Sequence, residues 1–270
     1  SLRLNNRDHR KILVIDGKVA FTGGINLADE YINKKVRFGH WKDSAILVRG
    51  EAAWSMTVMF LTLWDYTRET FMEDYDAFRP KWETPPKGTG YVQPYTDNPL
   101  DGEAVGQTVY LNLINRARRY IYITTPYLIV DDSMNTALCI AAKSGVDVRI
   151  MTPHIPDKKV VFEVTRAHYG PLLEAGVKIY EYTPGFVHAK NFAVDDKYGT
   201  VGTVNMDYRS LFLHFENGVW LCGDPTVRDI KADFLATLEK CQPITLEQRR
   251  ALPWWRKAYR AVLRVFAPLM

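Results

Sequence analysis

Cysteine is scarce in this chain, and long apolar runs are missing. The only cysteines among 270 residues are Cys139, Cys222 and Cys241, far apart and without CxxC spacing. That spacing argues against a disulfide framework or a cysteine-bound metal and for reduced packing residues. No stretch reaches the roughly 18 uninterrupted apolar residues of a membrane span. The nearest, AAWSMTVMFLTLW, is too short and reads as a buried helix. The chain opens on polar and charged residues, which does not fit a secretory leader. It has no initiator methionine and starts almost inside its first motif, so it reads as a piece of a longer protein. Neither charge sign dominates: 35 Lys and Arg face 31 Asp and Glu, a net +4. That balance permits an anionic partner, a phospholipid surface or a nucleic acid, without demanding one. With 47% hydrophobic and 24% charged residues the composition is that of an ordinary globular protein. A chain of this length can bury one large core or two modest ones.

What the chain does have is one pattern written twice. His9-Arg10-Lys11, four residues and Asp16 recur as His188-Ala189-Lys190, four residues and Asp195. Gly23 and Gly202 stand at one offset from their histidines, and Asn26 and Asn205 at another. Farther on, Asp43 leads into SAILVRG and Glu216 into NGVWLCG, with Gly50 and Gly223 in register. A single histidine near a lysine is most often a satisfied structural residue. The same five residue types at the same offsets twice point to a shared site.

Around the second copy the chain alternates strand and helix signals. YIYITTPYL is β-rich, and Asp132 or Ser133 can cap a helix through TALCIAAKS that Gly145 stops. VDVRIMTP, a helix around HYGPLLEA ending at Gly176, VKIYEY and NFAVDD follow. Such alternation predicts an α/β fold with a largely parallel or mixed sheet covered on both faces. The first copy shows the same downstream order, KILVIDG, VAFTGG, SAILVRG and a helix from Glu51 to about Arg68, but only eight residues precede it. We therefore expect an incomplete first half at 1–78, a crossover linker at 79–102, a second half at 103–246 and a tail at 247–270. In the tail, Trp255, Tyr259, Val262, Leu263 and Phe266 share one helical face, and Arg256, Lys257, Arg260 and Arg264 crowd the rest. This composition suits a helix lying in a membrane interface; the alternative is a terminal helix packed on its own domain.

The doubled pattern fits phosphodiester exchange. Such a reaction needs a nucleophile, an acid for the leaving oxygen, neutralisation of the non-bridging oxygens and in-line geometry. One neutral histidine can attack and form a phosphohistidine while the other, protonated, serves the departing alkoxide and then acts as base. Lys11 and Lys190 supply fixed cations and Asn26 and Asn205 neutral donors, so the phosphate needs no metal or cofactor. Each imidazole needs its second nitrogen held. By position within each copy, Asp43 is expected to orient His9 and Glu216 to orient His188. Asp16 and Asp195 end their strands and are expected to complete the motif from behind by holding loops. His40, His154, His168 and His214 lack such pairing; His40 is the one that could line the cleft. Zinc spacings such as HExxH are absent.

The two HxKxxxxD motifs, followed by GGxN and GTxN, resemble the phospholipase D superfamily. The segments GFVHAK and NMDYRS through FENG, with NRDHRKILVIDGKVAFTGGINLADEY and WKDSAILVRG, look like those of bacterial cardiolipin synthases over nearly the whole chain. The resemblance implies a pseudo-twofold repeat of mixed sheets flanked by helices, its first repeat truncated here, with the site between the repeats. It implies transfer of a phosphatidyl group between two phosphatidylglycerol molecules with release of glycerol, His9 as nucleophile and His188 as general acid. Anionic phospholipids and a membrane surface would be the partners, with no nucleic acid, at the cytoplasmic face of a bacterial cell membrane. Members usually carry N-terminal membrane helices and a longer first half than this chain shows. A hydrolytic phospholipase D, a nuclease, or a lipid-binding fragment without catalysis are the alternatives.

Overall fold

Residues 6–72 and 74–269 are described by the structure, a computed structural model. The first motif runs into β1 (Leu13–Ile15), a tight turn and β2 (Val19–Gly23); a long loop then leads to β3 (His40–Lys42), β4 (Ala45–Arg49) and α1 (Glu51–Arg68). β1, β2 and β4 make an antiparallel sheet in that order. Along β4 burial alternates residue by residue, because only one face of this sheet is covered. α1 is half-buried rather than buried. Ala53, Met56 and Leu61 face inward, while Phe60, Trp64 and Tyr66 are exposed over a sheet of three strands. Among the described residues no helix is long and apolar enough to cross a membrane.

The segment 79–102 is more than a linker. Its residues Tyr91–Asp97 form β5, which pairs antiparallel with a strand of the second half along seven residues. The second half then runs α2 (Val105–Arg116), β6 (Tyr120–Thr124), α3 (Asp132–Lys143), β7 (Asp147–Pro153), α4 (Lys159–Ala175), β8 (Lys178–Tyr182) and β9 (Gly185–Val187). It continues with β10 (Asn191–Val194), β11 (Tyr198–Gly202), α5 (Tyr208–Phe212), β12 (Glu216–Cys222), α6 (Thr226–Leu238) and β13 (Cys241–Ile244). The eight-stranded sheet has the order β13-β8-β7-β6-β10-β11-β12-β5, parallel through β6, β7 and β8 and antiparallel elsewhere. β6 and β10 are buried at every position, as strands covered on both faces must be. The cap of α3 is Asp131, one residue earlier than expected: its carboxylate accepts from the Met134 N–H.

One face of this sheet packs on α2, α3 and α4 through Leu113, Leu138 and Leu172. The other is shared. Val227, Ile230 and Phe234 of α6 lie in one cluster with Ala20, Ile46, Val48, Ala53 and Met56 of the first half. That shared core carries the first motif to the second. The β1-β2-β4 sheet has the arrangement of β10-β11-β12, so the two copies are structural repeats. The outer edge of β10 holds β6, whereas the outer edge of β1 is unpaired among the described residues.

The tail forms α7 (Leu246–Arg250), with a Thr245–Gln248 capping box, and α8 (Trp254–Val265). α8 packs on α4 through its basic side. Arg256 and Arg260 both bind Glu163, and Leu263 turns inward with them instead of joining the apolar face. Trp255, Tyr259, Val262 and Phe266 point to solvent. Met270, the last residue of the expected tail, lies outside the described residues.

Candidate active site

Each motif reaches the site along the strand that leads into the other half's carboxylate. β9, running into His188, lies parallel to β3, and the His188 N–H donates to the Lys42 carbonyl at 2.7 Å. In the first motif Asp8 bridges in parallel to Phe215, and the His9 N–H donates to the Phe215 carbonyl at 2.9 Å. Lys42 directly precedes Asp43, and Phe215 directly precedes Glu216. The carboxylates are therefore delivered crosswise. His188 Nδ1 is 2.8 Å from Asp43 Oδ2, and His9 Nδ1 is 2.9 Å from both Glu216 carboxylate oxygens. This corrects the assignment by position within each copy: Asp43 meets His188 and Glu216 meets His9.

The two carboxylates are held differently. Asp43 accepts from the Trp41 indole at 3.2 Å and from the Ser44 N–H at 2.9 Å. Glu216, fully buried, accepts from the Thr203 and Ser210 hydroxyls. Thr203 and Gly24 are equivalent positions: their N–H groups donate to the Asn217 and Ser44 carbonyls, at 2.8 and 3.0 Å. Where Thr203 offers a hydroxyl to the longer Glu216, Gly24 leaves room for the shorter Asp43. A Cβ at Gly24 would collide with Asp43 Oδ1 and stand 2.9 Å from the His188 carbonyl.

Lys190 is buried, its Nζ 2.9 and 3.0 Å from the two ring nitrogens of His188 and donating to the His188 carbonyl. Burial lowers its pKa to about 7 against the attraction of Asp43 and Glu216. Lys11 donates to the His9 carbonyl at 2.6 Å, and burial lowers its pKa as well. Asp43 is pushed up by burial, but the His188 hydrogen bond and the Lys190 charge outweigh this and hold its carboxyl below the usual range. His188 goes the other way. Burial and the Lys190 charge prevail over its bond to Asp43 and bring its pKa to about 3. The ring is thus neutral near pH 7, and with Asp43 ionised its Nδ1–H donates, which leaves Nε2 as the free lone pair.

A stability prediction follows from that shift. Between pH 6.5 and 3 the unfolded chain takes up a proton that folded His188 refuses. Stability is therefore lost as pH falls through that window. Thermal melts from about pH 7 to about pH 4 should fall more steeply for the parent chain than for His188→Asn; equal slopes would count against a neutral buried ring.

The remaining expected residues divide. Asn205 is buried beside Ser210, whose hydroxyl accepts its N–H at 2.8 Å, and its side-chain Oδ1 has no hydrogen-bond partner. An unpartnered buried amide end next to the site leaves room for a ligand's polar group. Asn26 donates instead to the Tyr31 hydroxyl at 2.5 Å, and the Tyr31 ring meets His188 edge-on at 5.5 Å. Asp16 and Asp195 lie at the far ends of β1 and β10, roughly 15 Å of extended strand from the lysines, both in left-handed backbone. Asp195 accepts from the Arg118, Arg119 and Tyr120 N–H groups at 2.7–2.9 Å and so pins the entry to β6. It belongs with the scaffold rather than with the reacting groups. Asp16 is exposed on the β1–β2 turn. His40 bonds the Tyr182 hydroxyl at 3.0 Å; the His214 ring lies tilted at 6.2 Å from the His9 ring, which spacing did not foretell. Among the described residues no three His, Cys, Asp or Glu side chains gather as a metal site.

Sequence reasoning missed Tyr31, Trp41, Thr203, Ser210 and Gly24. The GG and GT that follow the two motifs carried a signal for Gly24 and Thr203, since they are equivalent positions holding unlike residues. Nothing in the sequence marks Tyr31 or Trp41, which reach His188 from the other half, one on the long loop and one on β3.

Residues 110–238 match the family described as cardiolipin synthase, PLD-like domain. Over 98% of its length the chain is 50% identical to an uncharacterized protein of Streptococcus mutans serotype c, covering 57% of that protein. Over 99% of its length it is 40% identical to a cardiolipin synthase of Halalkalibacterium halodurans, covering 53% of it. The chain thus spans about half the length of the curated relatives it matches. Phosphatidylserine synthase of Haemophilus influenzae Rd KW20 shares the fold. The TM-score is 0.70 at 14% identity, over 97% of this chain and 71% of that one.

Proposed function

From a chain whose residues 110–238 are a PLD-like domain of the cardiolipin synthase family, we propose that the whole protein transfers a phosphatidyl group from one phosphatidylglycerol to another through a phosphohistidine, forming cardiolipin and glycerol at the cytoplasmic face of a bacterial membrane. The observation that carries this reading is the crossed pair of imidazoles, each held at Nδ1 by the other half's carboxylate, with Lys11 and Lys190 beside them.

The unequal environments divide the work. His188, neutral and fixed by Asp43, attacks phosphorus through Nε2; the bond to the glycerol oxygen breaks. His9, half-exposed and backed by Glu216, gives its proton to that oxygen, and glycerol leaves. The terminal hydroxyl of a second phosphatidylglycerol then loses its proton to His9, attacks phosphorus, and the P–N bond breaks. This order reverses the roles that the resemblance implies for His9 and His188. Lys190, which lies against the His188 ring and carbonyl, turns to the phosphate oxygens when substrate enters, and Lys11 joins it. The Asn205 amide is the neutral polar group left beside that phosphate, while Asn26 is engaged with the Tyr31 hydroxyl.

The mouth of the site favours lipid over nucleic acid. The loop that delivers Tyr31 exposes Ile25, Leu27, Ile32 and Val36 together with Lys34, Lys35 and Arg37. Apolar side chains between cations suit acyl chains beneath phosphate headgroups.

The test is to incubate the whole protein with phosphatidylglycerol and measure cardiolipin and glycerol. Rapid quenching and peptide mapping then locate the phosphorylated histidine. The expected result is equal amounts of both products and a label on His188. Label on His9 would overturn the order of roles, and DNA cleavage without cardiolipin would overturn the reaction.

A further inference from the structure

Away from the histidines, a cleft of about 430 Å³ opens between α4, α7 and α8. Its lining brings Arg249, Arg250, Lys257, Arg260 and Arg264 together against one carboxylate, Glu174. Arg260 is already paired with Glu163. Among the described residues no carboxylate forms an ion pair with Arg249, Arg250, Lys257 or Arg264. The chain carries no Asp or Glu after Glu247. The cleft is built rather than incidental. Arg249 lies across Gly170, where any side chain would collide with its guanidinium, and it donates to the Arg166 carbonyl at 3.2 Å. Lys257 donates to the Arg250 carbonyl at 2.7 Å and so ties α8 to α7. Burial, with the charges of Arg260 and Arg264, lowers the pKa of Arg249, as expected where cations are crowded without an anion.

Beside this cleft stands the outward face of α8. Trp255, Tyr259, Val262 and Phe266 recur at helical spacing and are all exposed. Packing does not explain them, because α8 binds its domain through Arg256, Arg260 and Leu263, about a quarter-turn round the helix. A helix lying in a bilayer interface sinks its apolar face about 5–10 Å into the headgroup boundary. With a helix diameter of about 10 Å, the far side of α8, where Lys257, Arg260 and Arg264 line the cleft, then stands at the outer edge of the phosphate layer, within reach of long cationic side chains.

We propose that α7 and α8 form a second anionic phospholipid site, distinct from the two-histidine site, in which the α8 aromatic face enters the bilayer and the arginine cleft receives a lipid phosphodiester. Charge complementarity names the occupant. An uncharged bilayer would satisfy the aromatic face and leave the cleft empty, and free phosphate would satisfy the cleft and leave the aromatic face in water. The site shares the phospholipid premise of the proposed function but needs none of its chemistry.

The experiment is vesicle flotation of the 270-residue chain with phosphatidylglycerol–phosphatidylcholine vesicles and with pure phosphatidylcholine vesicles. One variant carries Trp255→Ser, Tyr259→Ser and Phe266→Ser; another carries Arg250→Gln, Lys257→Gln and Arg264→Gln. All these side chains are exposed, and circular dichroism checks the fold. Binding to the anionic vesicles is expected to exceed binding to the neutral ones by about tenfold or more, and each variant to lose about tenfold or more of it. His188→Ala should bind like the parent, which separates this site from the catalytic reading. Equal binding to both vesicle types, or full binding by either variant, would overturn the proposal. So would stabilisation by inorganic phosphate without vesicle binding, which would make the cleft a site for free anions.

Discussion

Asp43→Asn is expected to lower phosphatidyl transfer by the whole protein by about three to four orders of magnitude while leaving the fold intact. The carboxylate accepts from His188 Nδ1 and so keeps the lone pair on Nε2. Asparagine fills the same space and keeps the Trp41 or Ser44 bond, but it can present an N–H to Nδ1. The imidazole then takes the other tautomer, with its proton on the atom that must attack. A carboxylate-to-amide change of this kind behind a catalytic histidine costs about 10⁴ in turnover elsewhere. His188→Ala removes the proposed nucleophile and should abolish both turnover and the trapped intermediate. The measurements are kcat, the nitrogen chemical shifts of the imidazole and the far-ultraviolet dichroism. Turnover of Asp43→Asn within tenfold of the parent would rule out this role for the pair.

Gly24→Ala should cost about 10²-fold or more in kcat, an unusual penalty for one methyl group. The added Cβ would collide with Asp43 Oδ1 and stand 2.9 Å from the His188 carbonyl, so relief displaces the carboxylate, or the backbone carrying the imidazole, whose 2.8 Å bond sets the tautomer. A displacement near 1 Å is enough for a loss of that size. Gly88→Ala is the control, because nothing stands within 4 Å of a Cβ there. If the two variants turned over alike, the crowding at Gly24 would have no bearing on catalysis.

Much of this site was legible before any fold was known. Repetition singled out His9, Lys11, His188, Lys190, Asp43, Glu216 and Asn205, which the fold brings together, because two of each group leave a register in the chain; Asn26 is drawn to Tyr31 instead. Helix boundaries followed from glycine. α4 does end at Gly176, in left-handed backbone with φ 98°, and α3 stops just ahead of Gly145. The reading failed where the answer depended on neighbours distant in sequence. β5 looked like linker because its proline, glycine and polar surroundings resemble a loop, and only pairing with β12 makes it a strand. Asp195, by contrast, holds a loop as its place at a strand end foretold, through three N–H groups at the entry to β6. An extended strand carries it to the opposite end of β10.

The amino-acid order by itself determined that this protein holds two histidine–lysine sets, two carboxylates to orient them and a basic aromatic tail, since residue identity and spacing are local properties. Only the tertiary structure decided which carboxylate serves which histidine. The parallel pairing of β3 with β9, and of Asp8 with Phe215, hands each acid across to the other half. Tertiary structure also decided which way the tail faces: Glu163 takes Arg256 and Arg260 inward, and the rigid helix must then turn its aromatics out. Both outcomes are set by contacts between segments far apart in the chain, and spacing within a segment carries no record of them.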